Sequence, residues 1–391
     1  MQSFLQLVAH DLYTKIGNDL SRTALIFPNK RANLFFNEYL AGESDQPIWS
    51  PAAMSISDLF QKLSVQKSGD PIRLVCELYK VFKEETQSQE TLDDFYFWGE
   101  LLISDFDDVD KNMVDADKLF SNLQDLKNLM DDYEFLDKEQ EEAIQQFFQN
   151  FSIEKRTELK EKFISLWDKL GTIYHRYRAN LTELGIAYEG MLYRNVIEQL
   201  DTDQLKYDKY IFVGFNVLNK VENDFFRKLK DAGKALFYWD YDIFYTQQIK
   251  KHEAGEFLKR NLGEFPNELP ESFFNTFKEP KKIRSISAST ENAQARFLPE
   301  WIKAITNDHS QIAIEKEKEN AVVLCNEALL LPVLHSIPQE VKNVNITMGF
   351  PLAQTPVYSF INAAMELQTN GYHSDTGRFT YEAVSAILKH P

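Results

Sequence analysis

The chain has 391 residues, 43% of them hydrophobic and 26% charged, a composition that gives two or three packed domains sizeable cores and argues against disorder. Its two cysteines, Cys76 and Cys325, stand far apart with no CxxC spacing, which argues against a disulfide scaffold or thiolate zinc site and fits a reducing cytosol. The formal charge of −17 counts against nucleic acid, but it is local: residues 84–142 hold 20 acids and 4 bases, leaving 40 acids against 39 bases elsewhere, so the remainder can still offer a cationic surface to phosphate.

The first segment, about residues 3–20, predicts an amphipathic helix with Phe4, Leu7, Val8, Leu12 and Ile16 on one face. It has no basic leader region, and no apolar run anywhere in the chain approaches the roughly 18–20 residues of a membrane span, so a cytoplasmic location is expected. Thr23-Ala-Leu-Ile-Phe27 reads as a short buried strand that runs into the polar turn Pro28-Asn29-Lys30-Arg31. A second helix follows with Leu34, Phe35, Tyr39 and Leu40, so the unit is half of a βαβ element. From about 55 to 200 the pattern is helical. Ser55-Ile-Ser-Asp58 has capping-box form, and Leu159 through Tyr177 mark one long amphipathic helix that stops near Gly185.

The acidic stretch interleaves large aromatics, among them Phe95, Tyr96, Phe97 and Trp98, with carboxylates. Aromatics at helical spacing are read here as packing, because acidic neighbours repel the phosphates that would accompany stacked bases. Strands return at Lys209–Val213, followed by Gly214-Phe215-Asn216, and at Ala235–Trp239. Residues 246–280 read as a charged connector. A second α/β unit is expected over 281–391, with strands at 283–289, 321–325 and 344–348.

Nucleotide chemistry has little to work with. A phosphate-cradling loop needs GxxxxGK[ST], yet the Gly233-Lys234 pair is followed by Ala235 and has Lys228 at the first glycine position. GxGxxG is absent too, so no cofactor is expected. Asp108-x-Asp110-x-Asn112 starts like a calcium loop, but Met113 and Leu119 fill the obligatory Gly and Glu positions. The seven histidines show no HxxxH or HxH spacing, and Glu158–Lys160 lies in a helix where a two-residue step separates the side chains.

Several stretches, in order, resemble the N-terminal region of AddB-type subunits, the helicase-like partners in AddAB/RecBCD-like double-strand-break repair nucleases. They are Ala24–Phe36, Trp98–Asp110, Tyr188–Arg194, Tyr210–Asn216, Glu291–Arg296, and Asn345–Leu352 with Thr355–Tyr358. The resemblance implies RecA-like (P-loop NTPase-like, superfamily 1 helicase-like) parallel-sheet domains with a large helical insertion. In that scheme 1–55 with 200–245 form a degenerate first domain, 56–199 an acidic helical insertion, and 281–391 the incomplete start of a second domain.

The same resemblance puts Gly214 and Phe215 where such motors carry an acidic pair that holds magnesium and polarises water, a task neither residue can do. It also implies a DNA partner, an AddA-type helicase-nuclease subunit as a protein partner, and a PD-(D/E)xK nuclease domain beyond residue 391. At the first turn two readings stay open: a solvated helix start, or a DNA contact in which Asn29, Lys30 and Arg31 join helix N-terminal amides in binding phosphate. A protein-interaction scaffold without DNA binding is the alternative for the whole chain.

Overall fold

The computed structural model describes residues 2–120, 156–247, 253–306 and 320–390, with backbone alone for 156–168 and 303–306. It divides into two compact units, Met1–Pro280 and Lys281–Pro391.

The first unit is built on a four-stranded sheet of β1 (Thr23–Phe27), β2 (Ala52–Ser55), β5 (Lys209–Val213) and β6 (Ala235–Tyr238), in spatial order β2-β1-β5-β6. Every pairing in it is parallel. The expected sharing of one sheet by 24–27 and 210–213 is met, with Leu25 opposite Ile211 and Ile26 opposite Phe212. All five residues of β1 are buried, as a parallel strand covered on both faces requires. The pleat sends Ala24, Ile26, Tyr210, Phe212 and Phe237 into one core, and Leu25, Phe27, Ile211, Val213 and Tyr238 into the other.

Helices α1 (Phe4–Ile16) and α2 (Ala32–Ala41) supply the second core through Val8, Leu12, Phe36 and Leu40. The opposite face is covered by α3 (Ile56–Leu63), α4 (Pro71–Thr86), α5 (Leu92–Lys111), α6 (Arg156–Glu183), α7 (Glu189–Gln199) and α8 (Lys220–Asp231). The helical region therefore shares one continuous core with the sheet. Phe60 of α3 stacks on Tyr193 of α7 at 4.2 Å and meets Phe225 of α8 at 5.1 Å. A two-stranded parallel ladder, β3 (Lys67–Ser68) with β4 (Ile186–Ala187), ties its ends together.

Local signals explain most boundaries. Ser55 and Asp58 form both halves of the capping box that starts α3, and Thr91 and Asp94 do the same for α5. Strand β2 goes unseen in the sequence because Ala52-Ala-Met-Ser55 lacks the β-branched residues that mark strands; its ladder to β1 makes it one.

The expected connector at 246–280 is instead folded onto the sheet. After the single-turn α9 (Ile243–Thr246), α10 (Glu253–Glu264) buries Leu258, and Phe265, Leu269 and Phe274 are buried beyond it. Glu268 N donates to Phe237 O at 2.9 Å and Trp239 Nε1 to Phe265 O at 2.8 Å. This strap satisfies edge strand β6, which would otherwise present open backbone groups.

The second unit is helical, with α11 (Glu291–Arg296), α12 (Leu298–Thr306), α13 (Leu330–Ser336), α14 (Pro356–Thr369) and α15 (Tyr381–Leu388). Its buried cluster is small: Ala295, Leu298 and Val333, with Trp301, Ile302, Leu324 and Ile337 against it. Among the described residues the segments at 283–289, 321–325 and 344–348 join no ladder, and the only pairing is the short antiparallel β7 (Tyr372–His373) with β8 (Arg378–Phe379). A short apolar run becomes a strand only where a neighbour takes its backbone groups, and none of these three has one.

Candidate functional site at the switch point of the sheet

The chain runs from β1 outward to β2 and from β5 outward, in the other direction, to β6. The carboxyl ends of β1 and β5 therefore flank a topological switch point, where open parallel sheets leave a crevice for ligands. On the β1 side stands the turn Pro28-Asn29-Lys30-Arg31 leading into α2; on the β5 side stands Gly214-Phe215-Asn216. Sequence and fold thus bring all five candidate residues to one edge.

Their side chains are largely committed there. Asn29 Oδ1 accepts from Arg31 N at 3.1 Å and Ala32 N at 3.3 Å, so these two amides at the start of α2 are already engaged. Lys30 Nζ sits 3.0 Å from Asp58 Oδ1, with its side chain 75% exposed. Asp58 is held below its ordinary carboxylate value, first by its bond with Ser55 and then by Lys30. Arg31 is exposed at the start of the helix.

Across the crevice, Gly214 has φ +73° and donates to Tyr238 O at 2.9 Å. A Cβ there would meet only Phe4 Cε1 at 3.7 Å, so the left-handed backbone, not space, requires glycine. Phe215 is buried, edge-on to Phe212 at 6.2 Å and Phe226 at 5.3 Å. Buried Asn261 of α10 donates to Asn216 O at 2.6 Å and fixes the loop. At the end of β6 desolvation pushes the Asp240 carboxyl up. The central strand thus ends in a turn glycine and a core aromatic, with no carboxylate at either position to hold a cation or polarise water. Among the described residues no cluster of three metal-ligating side chains occurs.

A second constellation joins two of the stretches quoted above. Asp110 near the end of α5 is fully buried. It accepts from Tyr174 Oη at 2.6 Å and from Tyr188 Oη, and lies 3.0 Å from Arg178 Nη1 and 3.3 Å from Arg194 Nη1. Arg178 reaches on to Asn195 Oδ1 at 3.0 Å, and Asn195 to Gln66 Oε1 at 2.7 Å.

Next to Asp110 in sequence, Lys111 bridges Asp107 at 2.8 Å and Glu189 at 2.5 Å. Burial works to lower the Lys111 pKa, yet these two carboxylates hold it raised. For Glu189, burial pushes upward and is overcome by Lys111, Tyr193 and Ser57. A Cβ at Gly190 would lie 2.3 Å from Asp107 O, so only glycine lets α7 approach α5 here.

The acidic run Asp108–Asn112 suits a solvated helical face or an interdomain contact, yet Asp110 within it is fully buried. The signal for the hub was present in the i, i+4 pair Tyr174/Arg178 and in Asp110 following buried Phe106 and Val109 on one helical face. The packing expectation for 95–98 holds for buried Phe95 and half-buried Tyr96, but Phe97 and Trp98 are 64% and 58% exposed. Their positions on α5 turn them away from the core that Phe95 and Gly99 enter.

No described helix is long and apolar enough to cross a membrane. Compared with family models and with curated proteins, the chain finds a match in neither.

Proposed function

We propose that this chain is a catalytically silent, helicase-like module of a DNA recombination or repair nuclease, with a RecA-like first domain that binds DNA at the switch-point crevice and docks an AddA-type partner. The observation that carries this reading is the pairing of β1 and β5 as adjacent parallel strands, with Asn29, Lys30 and Arg31 beyond one and Gly214-Phe215 beyond the other. A nucleotide-driven motor needs phosphate-cradling amides and an acidic pair at that edge, and the residues there supply neither. The ordered stretches that resemble AddB-type subunits supply the DNA context.

A scaffold without DNA binding is the second reading. It is favoured by the commitment of Asn29 to its own helix and of Lys30 to Asp58.

Two measurements test the pair. Steady-state ATP turnover with single-stranded DNA is expected at background; activity that co-purifies with the chain overturns the silent module. Anisotropy with single-stranded DNA, at low and physiological salt, is expected to show weak binding that falls steeply with salt. Lys30→Ala/Arg31→Ala should weaken it and flatten the salt slope by about two phosphates' worth. Unchanged affinity and slope would leave the scaffold.

A further inference from the structure

We infer that the outer face of α5 is a docking surface for a basic amphipathic helix of a partner protein. The inference goes beyond the reading of the sheet edge and does not depend on it. Helix α5 buries Phe95, Gly99, Phe106, Val109 and Asp110. Its opposite face carries Asp94, Trp98, Leu101, Asp105 and Asp108 at alternating four- and three-residue steps, with Phe97 beside Trp98. That spacing lines them in one stripe, about 21 Å long at 1.5 Å per residue.

The middle of the stripe is apolar and open: Phe97 64%, Trp98 58% and Leu101 43% exposed, the two rings edge-to-face at 5.8 Å. Both ends are acidic; Asp93 adds to one of them, and Glu100 flanks the apolar middle. The nearby lysines are engaged elsewhere, Lys111 with Asp107 and Lys118 with Asp115. Among the described residues no Lys or Arg forms an ion pair with Asp93, Asp94, Glu100, Asp105 or Asp108. Burial and the charge of Asp108 together push the Asp105 carboxyl up, as two carboxylates crowded on one face do.

Charge complementarity selects the occupant. Aromatics of this kind stack on bases in single-strand binding proteins, but there a cationic groove tracks the phosphates; five carboxylates repel them. The same acids repel an anionic lipid surface. A second copy of this face would set acid against acid. A helix with apolar residues at i, i+3, i+4 and i+7 covers Phe97, Trp98 and Leu101 in the helix-in-groove manner. Lys or Arg a turn or two to either side then meets Asp94 at one end and Asp105 and Asp108 at the other.

The test uses the full chain and a fluorescein-labelled 18-residue Leu/Lys peptide patterned as an amphipathic helix, read by anisotropy. A scrambled peptide of the same composition controls for the chain's net negative charge. The patterned peptide is expected to bind at least tenfold more tightly than the scrambled one. Phe97→Ala/Trp98→Ala should erase that preference while circular dichroism stays unchanged, since both side chains lie outside the core. Asp105→Asn/Asp108→Asn should weaken binding severalfold and reduce its salt dependence. Equal binding of the two peptides overturns the proposal, as does a preference that survives in the Phe97/Trp98 variant. A wild-type dimer that becomes monomeric in that variant overturns it in favour of self-association.

Discussion

The crevice between β1 and β5 and the interior between α5 and α7 are both assembled from stretches that look like ligand-handling motifs, and their charges meet different fates. At the sheet edge the Lys30–Asp58 ion pair lies in water, its lysine 75% exposed. Between the helices Asp110 is sealed from water and shared by two tyrosines and two arginines. Exposed pairs contribute little because solvent screens them and side-chain entropy opposes them. A buried charge that loses its partners has no such relief. The edge is therefore free to change its partners, and the hub is not.

The sharpest way to break this contrast is Asp110→Ala. It takes the shared carboxylate from part-buried Arg178 and Arg194 and the acceptor from two buried tyrosine hydroxyls, and urea denaturation should show a loss of about 3–5 kcal/mol. A loss under 1 kcal/mol would mean water reaches the hub. Gly190→Ala comes next: its Cβ would meet Asp107 backbone oxygen at 2.3 Å, and prying α5 from α7 should cost about 1–3 kcal/mol, read as a drop in Tm.

The hub also predicts an alkaline limit. Tyr174 is pushed up to about 12, first by burial and then by Asp110. The folded state thus keeps a proton that the unfolded chain releases near pH 10. This contribution is complete below about 10 and fades as pH rises toward 12. Denaturation midpoints between pH 9 and 11.5 should fall accordingly. In Asp110→Asn the phenolate absorbance of Tyr174 should appear at lower pH, though still above the ordinary range because burial is the larger cause.

Smallest is Lys30→Ala, which should change stability by no more than about 0.5 kcal/mol. Asp58 keeps its bond with Ser55, the first cause of its lowered pKa. The stability Asp58 adds should still be complete above about pH 3.9 and lost as pH falls through its lower folded value. A larger effect for Lys30 than for Gly190 would reverse the comparison.

Much of the first unit was legible. Thr23–Phe27 and Lys209–Val213 are short apolar runs bounded by polar turns, consistent with buried strands, and the ladder between them makes them so. Ser55 and Asp58 announce a helix start through side-chain chemistry that is purely local. The strap at 253–274 was not legible, since its charged composition hides the few apolar side chains, Leu258, Phe265, Leu269 and Phe274, that decide its placement. The second unit shows the reverse error: Ala321–Cys325 and Val344–Met348 have strand composition and, among the described residues, join no ladder.

By itself the sequence determined that the strand at 209–213 runs into Gly214-Phe215 and the strand at 23–27 into Pro28-Asn29-Lys30-Arg31, because residue identity does not change on folding. It also determined the α/β class, because periodicity is a local property of the chain. Only the tertiary structure decided what the polar residues do. Asn29 and Lys30 are spent on Ala32, Arg31 and Asp58, Asp110 sits in the core, and Phe97 and Trp98 face water. Each outcome depends on which distant segment arrives alongside, and burial, which sets the worth of every charge and ring, exists only once those segments have packed.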